Sequence, residues 1–196
     1  MAVLGIAVLA SILVPPGWIA LITSLFILFL QFKYGFNVIA AMAEGEFQAP
    51  SLRDTISGGG YDLVYKQFAI VFFMLIMPGI VATQLAPLLG TLLGIFFLLV
   101  LPMSTIVLAR EQSLGSALNP VILVTSIYRI GWAYLLVYLY LLMMFASSMT
   151  FGQLAFEYLG ANGAQVVTAA SGYYFALVMY SLMGYMMYQY RHKLDA

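Results

Sequence analysis

The chain has 196 residues, 64% of them apolar and only 7% charged, with a mean hydropathy of +1.04, whereas about a quarter of the residues in a soluble domain are charged. That composition excludes an ordinary soluble fold. Seven Lys and Arg balance seven Asp and Glu and there is no cysteine, so the basic excess needed for nucleic acid is missing and disulfides, thiolate metal sites and a Cys nucleophile are excluded.

A hydrocarbon core of about 30 Å needs roughly 20 apolar helical residues, so long uncharged runs read directly as spans. The first run is divided by Pro15-Pro16-Gly17, because Pro16 lacks an amide donor and pushes Pro15 out of helical geometry. Residues 1–14 would rise only about 21 Å, which suits a short or re-entrant segment. A cleaved signal peptide is the competing reading, but no Lys or Arg precedes this run and no Ala-x-Ala site precedes the prolines. The second segment is 18–33, with Lys33 at its end placed to snorkel into the headgroups.

Residues 34–62 read as an inner amphipathic loop. The apolar pattern continues to Glu44-Gly45-Glu46, Ser51 and Asp54 resemble a capping box, and Gly58-Gly59-Gly60 reads as a hinge. The triple glycine lacks the Lys-Ser/Thr pattern of a phosphate loop. Asp62 is expected to cap the next helix and to pair with Lys66. The uncharged run from Gln67 to Ala109 is too long for one crossing and suits two, at 64–84 and 88–109, turning at Gln84-Leu85-Ala86-Pro87.

Gly90 and Gly94 form a G-x-x-x-G pair, and folding about Pro87 brings Gly94 to the depth of Gly79, which predicts close helix packing there. Pro78 and Pro102 should kink the two helices. The run "VFFMLIMP" at 71–78 recurs as "IFFLLVLP" at 95–102; in a Phe- and Leu-rich background chance accounts for it better than an inverted repeat. Residues 110–129 form a second inner loop with helical apolar spacing broken at Asn119-Pro120, expected to lie in the membrane interface or against a partner subunit.

The last two spans are read at 130–149 and 167–190. If their hairpin turns near Leu159, Tyr138 pairs with Tyr180, Tyr134 with Tyr185 and Ser147 with Ser171 at equal depths. These are expected to be interhelical hydrogen bonds, or, on the alternative reading, the wall of a polar groove.

The Lys and Arg positions now test the spans. Lys33, Arg53, Lys66, Arg110, Arg129, Arg191 and Lys193 all fall on one side, and the opposite loops carry only Glu157. The expectation is a bacterial inner-membrane protein with a cytoplasmic C-terminus. Its class is an all-α, polytopic membrane protein with five or six transmembrane or re-entrant helices in a single domain, 1–196.

These spans are expected to hold no ionisable side chain in the hydrocarbon, where pumps and ion-coupled transporters need one. A lone His192, the fifth residue from the C-terminal end, cannot complete a triad or a metal cluster. Glu44 with Glu46, and Arg110 with Glu111, read as solvated interfacial charges. The twelve methionines include groups at different depths, Met143, Met144 and Met149 against Met183, Met186 and Met187, so adaptable packing is favoured over a copper site. No catalytic residue, cofactor or metal is expected.

The run "FKYGFNVIAAMAEGEFQAPSL", followed by a long apolar hairpin and "SLGSALNP" before an aromatic span, resembles a family of bacterial and archaeal polytopic membrane proteins known as a domain of unknown function. The resemblance covers about Leu25 to Tyr140. It implies the polytopic α-helical fold and brings no catalytic or binding residues with it; family members have a longer region before the first span. The leading expectation is a non-catalytic membrane subunit or assembly partner, in contact with membrane lipids and other membrane protein subunits through the two inner loops. The alternative is a permease or channel for a lipid or small uncharged solute, with a groove between the kinked helices and Tyr134, Tyr138, Tyr180 and Tyr185.

Overall fold

The computed structural model describes residues 18–194. The expected segment 1–14 and the turn at Pro15-Pro16-Gly17 lie outside the described residues. Among those described, the only regular structure is helix, with no strand. In chain order come α1 (Trp18–Glu44), α2 (Leu52–Ser57), α3 (Tyr61–Gln84), α4 (Pro87–Glu111), α5 (Leu114–Leu118), α6 (Pro120–Ile130) and α7 (Trp132–Leu194). They supply five stretches long and apolar enough to cross a membrane, Ile22–Glu44, Tyr61–Gln84, Pro87–Glu111, Trp132–Ala161 and Gly163–Leu194. The protein is an all-α polytopic membrane protein.

Three elements take their bounds from local features. The helix of the second segment runs on through Lys33 to Glu44, as the continuing apolar pattern indicates, since nothing in Phe32-Lys33-Tyr34-Gly35 terminates it. Its stop is Gly45, at φ 87°. The Gly45 amide donates to the Met42 carbonyl and the Glu46 amide to the Ala41 carbonyl, the paired bonds of a Schellman cap that needs a left-handed residue. Second, the helix after the triple glycine is capped by Gly60 and not by Asp62. Asp62 lies in the first turn and takes the expected ion pair from Lys66 at 3.0 Å. The side chain of Asp54, the expected capping-box partner, lies outside the described ones.

Third, no extended loop separates the last two spans. Between Trp132 and Leu194 the single non-helical residue is Gly160, at φ 70° and ψ −173°. Residues 151–165 hold no proline and only one charge, so helix propagates from both sides until the residue without a Cβ takes the bend.

The chain divides into two compact units. One comprises the chain up to Gly59 with Leu139–Tyr185. Within it, Gly35 of α1 lies against the Tyr180 ring, and Gly184 against Ile39 and Met42. Rising numbers meet rising numbers, so the last arm of α7 runs parallel to α1. The two arms of α7 are antiparallel, with Gly152 against Thr168 and Ser148 3.5 Å from Ser171.

The other unit comprises Gly60–Tyr138 and the chain from Met186 on. Its centre is the antiparallel pair α3 and α4, joined through Leu85-Ala86 with Pro87 opening α4, where a missing amide costs nothing. Val100, Met103, Ile106, Val107 and Leu108 of α4 are buried under α5 and α6. Ser113 caps α5, accepting from the Ser116 amide, and Asn119 caps α6, accepting from the Val121 amide at 2.9 Å. Gly131, at φ 72°, ends α6.

Candidate functional site

The small-residue contact between α3 and α4 is one residue out of the expected register. A Cβ on Gly90 would meet the Ala82 side chain and lie 2.5 Å from the Pro78 carbonyl oxygen; one on Gly94 would sit 3.6 Å from the Pro78 Cβ. Gly79 has nothing within 4 Å of where its Cβ would be. The link folds at Leu85-Ala86 and not at Pro87, and a one-residue change in register turns a helix face by about 100°. The partner of both glycines is therefore Pro78, and Gly79 points outward. Pro102 is buried on α4.

On the side of Gly94 away from the link, α3 and α4 part to leave an apolar slot of about 290 Å³, lined by Val71, Met74, Leu75 and Pro78 and by Gly94, Phe97, Leu98 and Leu101. Phe73 and Phe97 pack with ring centroids 5.8 Å apart. The slot's walls are entirely carbon and sulfur side chains and glycine, so it can hold an alkyl chain and exert no acid–base chemistry.

The four tyrosines expected to line a groove are each engaged within their own unit. Tyr134 is 2% exposed and donates to the Leu99 carbonyl at 2.6 Å; Tyr138 stacks on it at 6.4 Å. In the other unit, Tyr180 is buried against Gly35 and Tyr185 packs on Phe47 at 6.3 Å. The serine expected to meet Ser171 is Ser147; the residue that does is Ser148, while Ser147 donates to the Met143 carbonyl one turn back. The turn at Gly160, one place beyond Leu159, accounts for the shift.

A polar cluster on α1 departs from the sequence expectations. Lys33 is 1% exposed at the midpoint of the candidate span Ile22–Glu44, where it donates to the Gly58 carbonyl at 2.8 Å. Its ammonium is buried on that carbonyl instead of reaching outward, which corrects the expected snorkelling. Beside it, the Tyr34 hydroxyl donates to the Pro50 carbonyl at 3.2 Å, and Asn37 donates to the Thr55 hydroxyl at 3.1 Å, which itself donates to the Ser51 carbonyl. Together these side chains fasten the segment between Gly45 and Gly60 to α1 at Pro50, Thr55 and Gly58. The available signal is the spacing of Lys33 and Asn37, four apart on one helical face.

At one end of the other unit, Lys66 also donates to the Gln112 carbonyl at 2.7 Å, and Arg110 donates to the Leu194 carbonyl at 2.6 Å. Gln112 caps α4 in a left-handed conformation, φ 52°, unusual for a residue with a Cβ, and Lys66 holds its carbonyl. Among the described residues no three His, Cys, Asp or Glu side chains converge as metal ligands do. No family model, curated protein or solved structure matches the chain.

Proposed function

We propose that the protein is a non-catalytic integral membrane subunit that assembles with other membrane proteins through its inner loops. The observation that carries this reading is α6. Its eleven residues rise only about 16 Å, too short to cross a membrane. One face, Leu123, Ser126 and Ile130, is buried on its own unit, while Val121, Val124 and Tyr128 on the other are 70%, 50% and 85% exposed. A helix that simply rests on a bilayer surface directs a Lys- and Arg-rich face outward. Here both faces are apolar and Arg129 is the sole charge, which suits a second protein surface better.

We place the protein in a bacterial cytoplasmic membrane with its C-terminus inside. The gathering of Lys66, Arg110 and the Arg191- and Lys193-bearing tail at one end of their unit supports that orientation.

The test is purification from the native membrane in mild detergent, with mass spectrometry of what accompanies the protein. A stoichiometric membrane protein is expected, and Val124→Glu with Tyr128→Glu should release it without altering the melting temperature of the purified chain. A solitary wild-type protein would overturn the subunit reading. Since the chain has no cysteine, Ser57→Cys and Tyr158→Cys report sidedness, and labelling of both from one side would overturn the orientation.

A further inference from the structure

Most charges among the described residues are engaged within the chain. Asp62 is paired with Lys66 and Glu111 with Arg110, and Arg191 and Lys193 lie over the Tyr188 and Tyr190 rings. The Arg129 guanidinium makes no hydrogen bond or ion pair with any described residue, and neither does the carboxylate of Glu44 or of Glu46. Arg129, Glu44 and Glu46 are all exposed. Arg53, which belongs to the same unit as the two glutamates, forms no ion pair with either.

Each of these charges stands among exposed aromatic rings. Arg129 follows Tyr128 at the end of α6 and is followed by Trp132 at the start of α7, and both rings are exposed. Arg, Tyr and Trp are the residues that carry most of the binding energy in protein interfaces. Glu44 and Glu46 flank the left-handed Gly45 that ends α1. The next residue, Phe47, is exposed and packs on Tyr185 of its own unit with ring centroids 6.3 Å apart. One patch is thus aromatic and cationic, the other aromatic and anionic.

The candidate span of α1 ends at Glu44 and that of α7 begins at Trp132, with the α3 and α4 crossings between them, so both patches belong to the same side of the membrane. Copies of a chain in one bilayer are related by rotation about the membrane normal, which keeps each patch on that side. We propose that a second copy of this chain covers α6, its Glu44, Glu46 and Phe47 meeting Tyr128, Arg129 and Trp132. The two patches differ, so the contact is heterologous, head to tail. An ion pair on a wet surface contributes little; here the rings supply the apolar contact, and the charges select the partner, because like charges in the same place oppose association. The inference rests on the reading of α6 as a surface that receives protein, and names that protein.

The experiment is energy transfer between copies of the full chain in phosphatidylcholine liposomes. Because the chain has no cysteine, donor and acceptor dyes go on Tyr158→Cys, away from both patches. Transfer in the otherwise wild-type chain should persist on dilution with lipid, beyond what random proximity gives. Arg129→Glu, and separately Glu44→Arg with Glu46→Arg, should need about tenfold or more higher protein density for the same transfer, since each sets like charges together. Neither should change the melting temperature of the purified monomer, because these charges make no bond within the chain. Mixing the two reversed chains, one carrying the donor and the other the acceptor, should restore the transfer, as should both reversals in one chain; this restoration also shows that each variant folds. Transfer no greater than random proximity would overturn the proposal, and so would reversals that leave transfer unchanged or fail to restore it together. A monomer that holds a different membrane protein on α6 would overturn it while the subunit reading stands. Copies that associate with one another and with no other protein would support it and overturn the subunit reading.

Discussion

The α3–α4 hairpin and the α1–α2 segment are both places where two pieces of backbone lie close together, and they are held by opposite means. In the hairpin the contact is shape: Gly90 and Gly94 leave out their side chains so that Pro78 and Ala82 can approach. Lipid tails are as apolar as the helices, so packing of this kind is what favours association in a membrane. In the α1–α2 segment the contact is polar: Lys33, Tyr34 and Asn37 reach from one helix to Gly58, Pro50 and Thr55. Those acceptors belong to irregular backbone and a short helix, whose carbonyls need donors that helix or sheet does not supply. Shape suffices between two regular helices; a segment that leaves regular structure must be tied by donors.

The comparison breaks first at Gly90. Gly90→Leu forces a side chain into the Ala82 Cβ and within 2.5 Å of a backbone carbonyl, and backbone cannot turn aside as a side chain can. A loss of about 3 kcal/mol, at the upper end of overpacking effects, is expected in detergent unfolding. A variant that melts with the wild type would mean that the helices are not in close contact at Gly90.

The polar side of the comparison is tested at Lys33. Lys33→Met keeps the apolar stem of the side chain and removes the ammonium that donates to the Gly58 carbonyl, at a cost of about 2 kcal/mol for a charge-assisted bond. Because the effect is local, limited proteolysis reads it better than melting. Arg53, exposed on α2, is the reporter: trypsin should cut after it roughly tenfold faster or more in the variant, following the population of the opened segment. Unchanged cleavage would show that the segment is held by other contacts. Tyr34→Phe removes one neutral bond, to Pro50 at 3.2 Å, and should raise the same cleavage only about fivefold, for about 1 kcal/mol.

The two regions also differ in how far they are legible in sequence. Hairpins and span number are written in apolar run length, and the G-x-x-x-G spacing at Gly90 and Gly94 announces a close approach, because both signals are local and periodic. Register is not local: it depends on whether the chain turns at Leu85-Ala86 or at Pro87, and a difference of one residue replaces Gly79 by Pro78, as the turn at Gly160 replaces Ser147 by Ser148. The Lys33 cluster is the least legible. A lysine after an apolar run reads as a span terminus, and only the later folding of Pro50, Thr55 and Gly58 back onto α1 makes its burial possible. The buried bond from the Gln67 amide to the Thr105 hydroxyl, at 3.3 Å, is hidden for the same reason, its two partners lying far apart along the chain.

Gly79 gives the smallest effect and the cleanest test of register. It lies in α3 beside Gly90's true partner, is exposed, and has no atom within 4 Å of a Cβ position. Its carbonyl accepts from the Thr83 hydroxyl at 3.0 Å, a bond that a methyl group at Gly79 does not disturb. Gly79→Ala therefore adds no contact and restricts the unfolded chain, and in a helix interior that change is worth about 0.5–1 kcal/mol in favour of alanine. The expected result is a melting temperature equal to the wild type's or slightly above it. Were Gly79 the residue facing Gly94, the same methyl would separate the helices and lower the melting temperature, so the sign of this one shift decides which face of α3 meets α4.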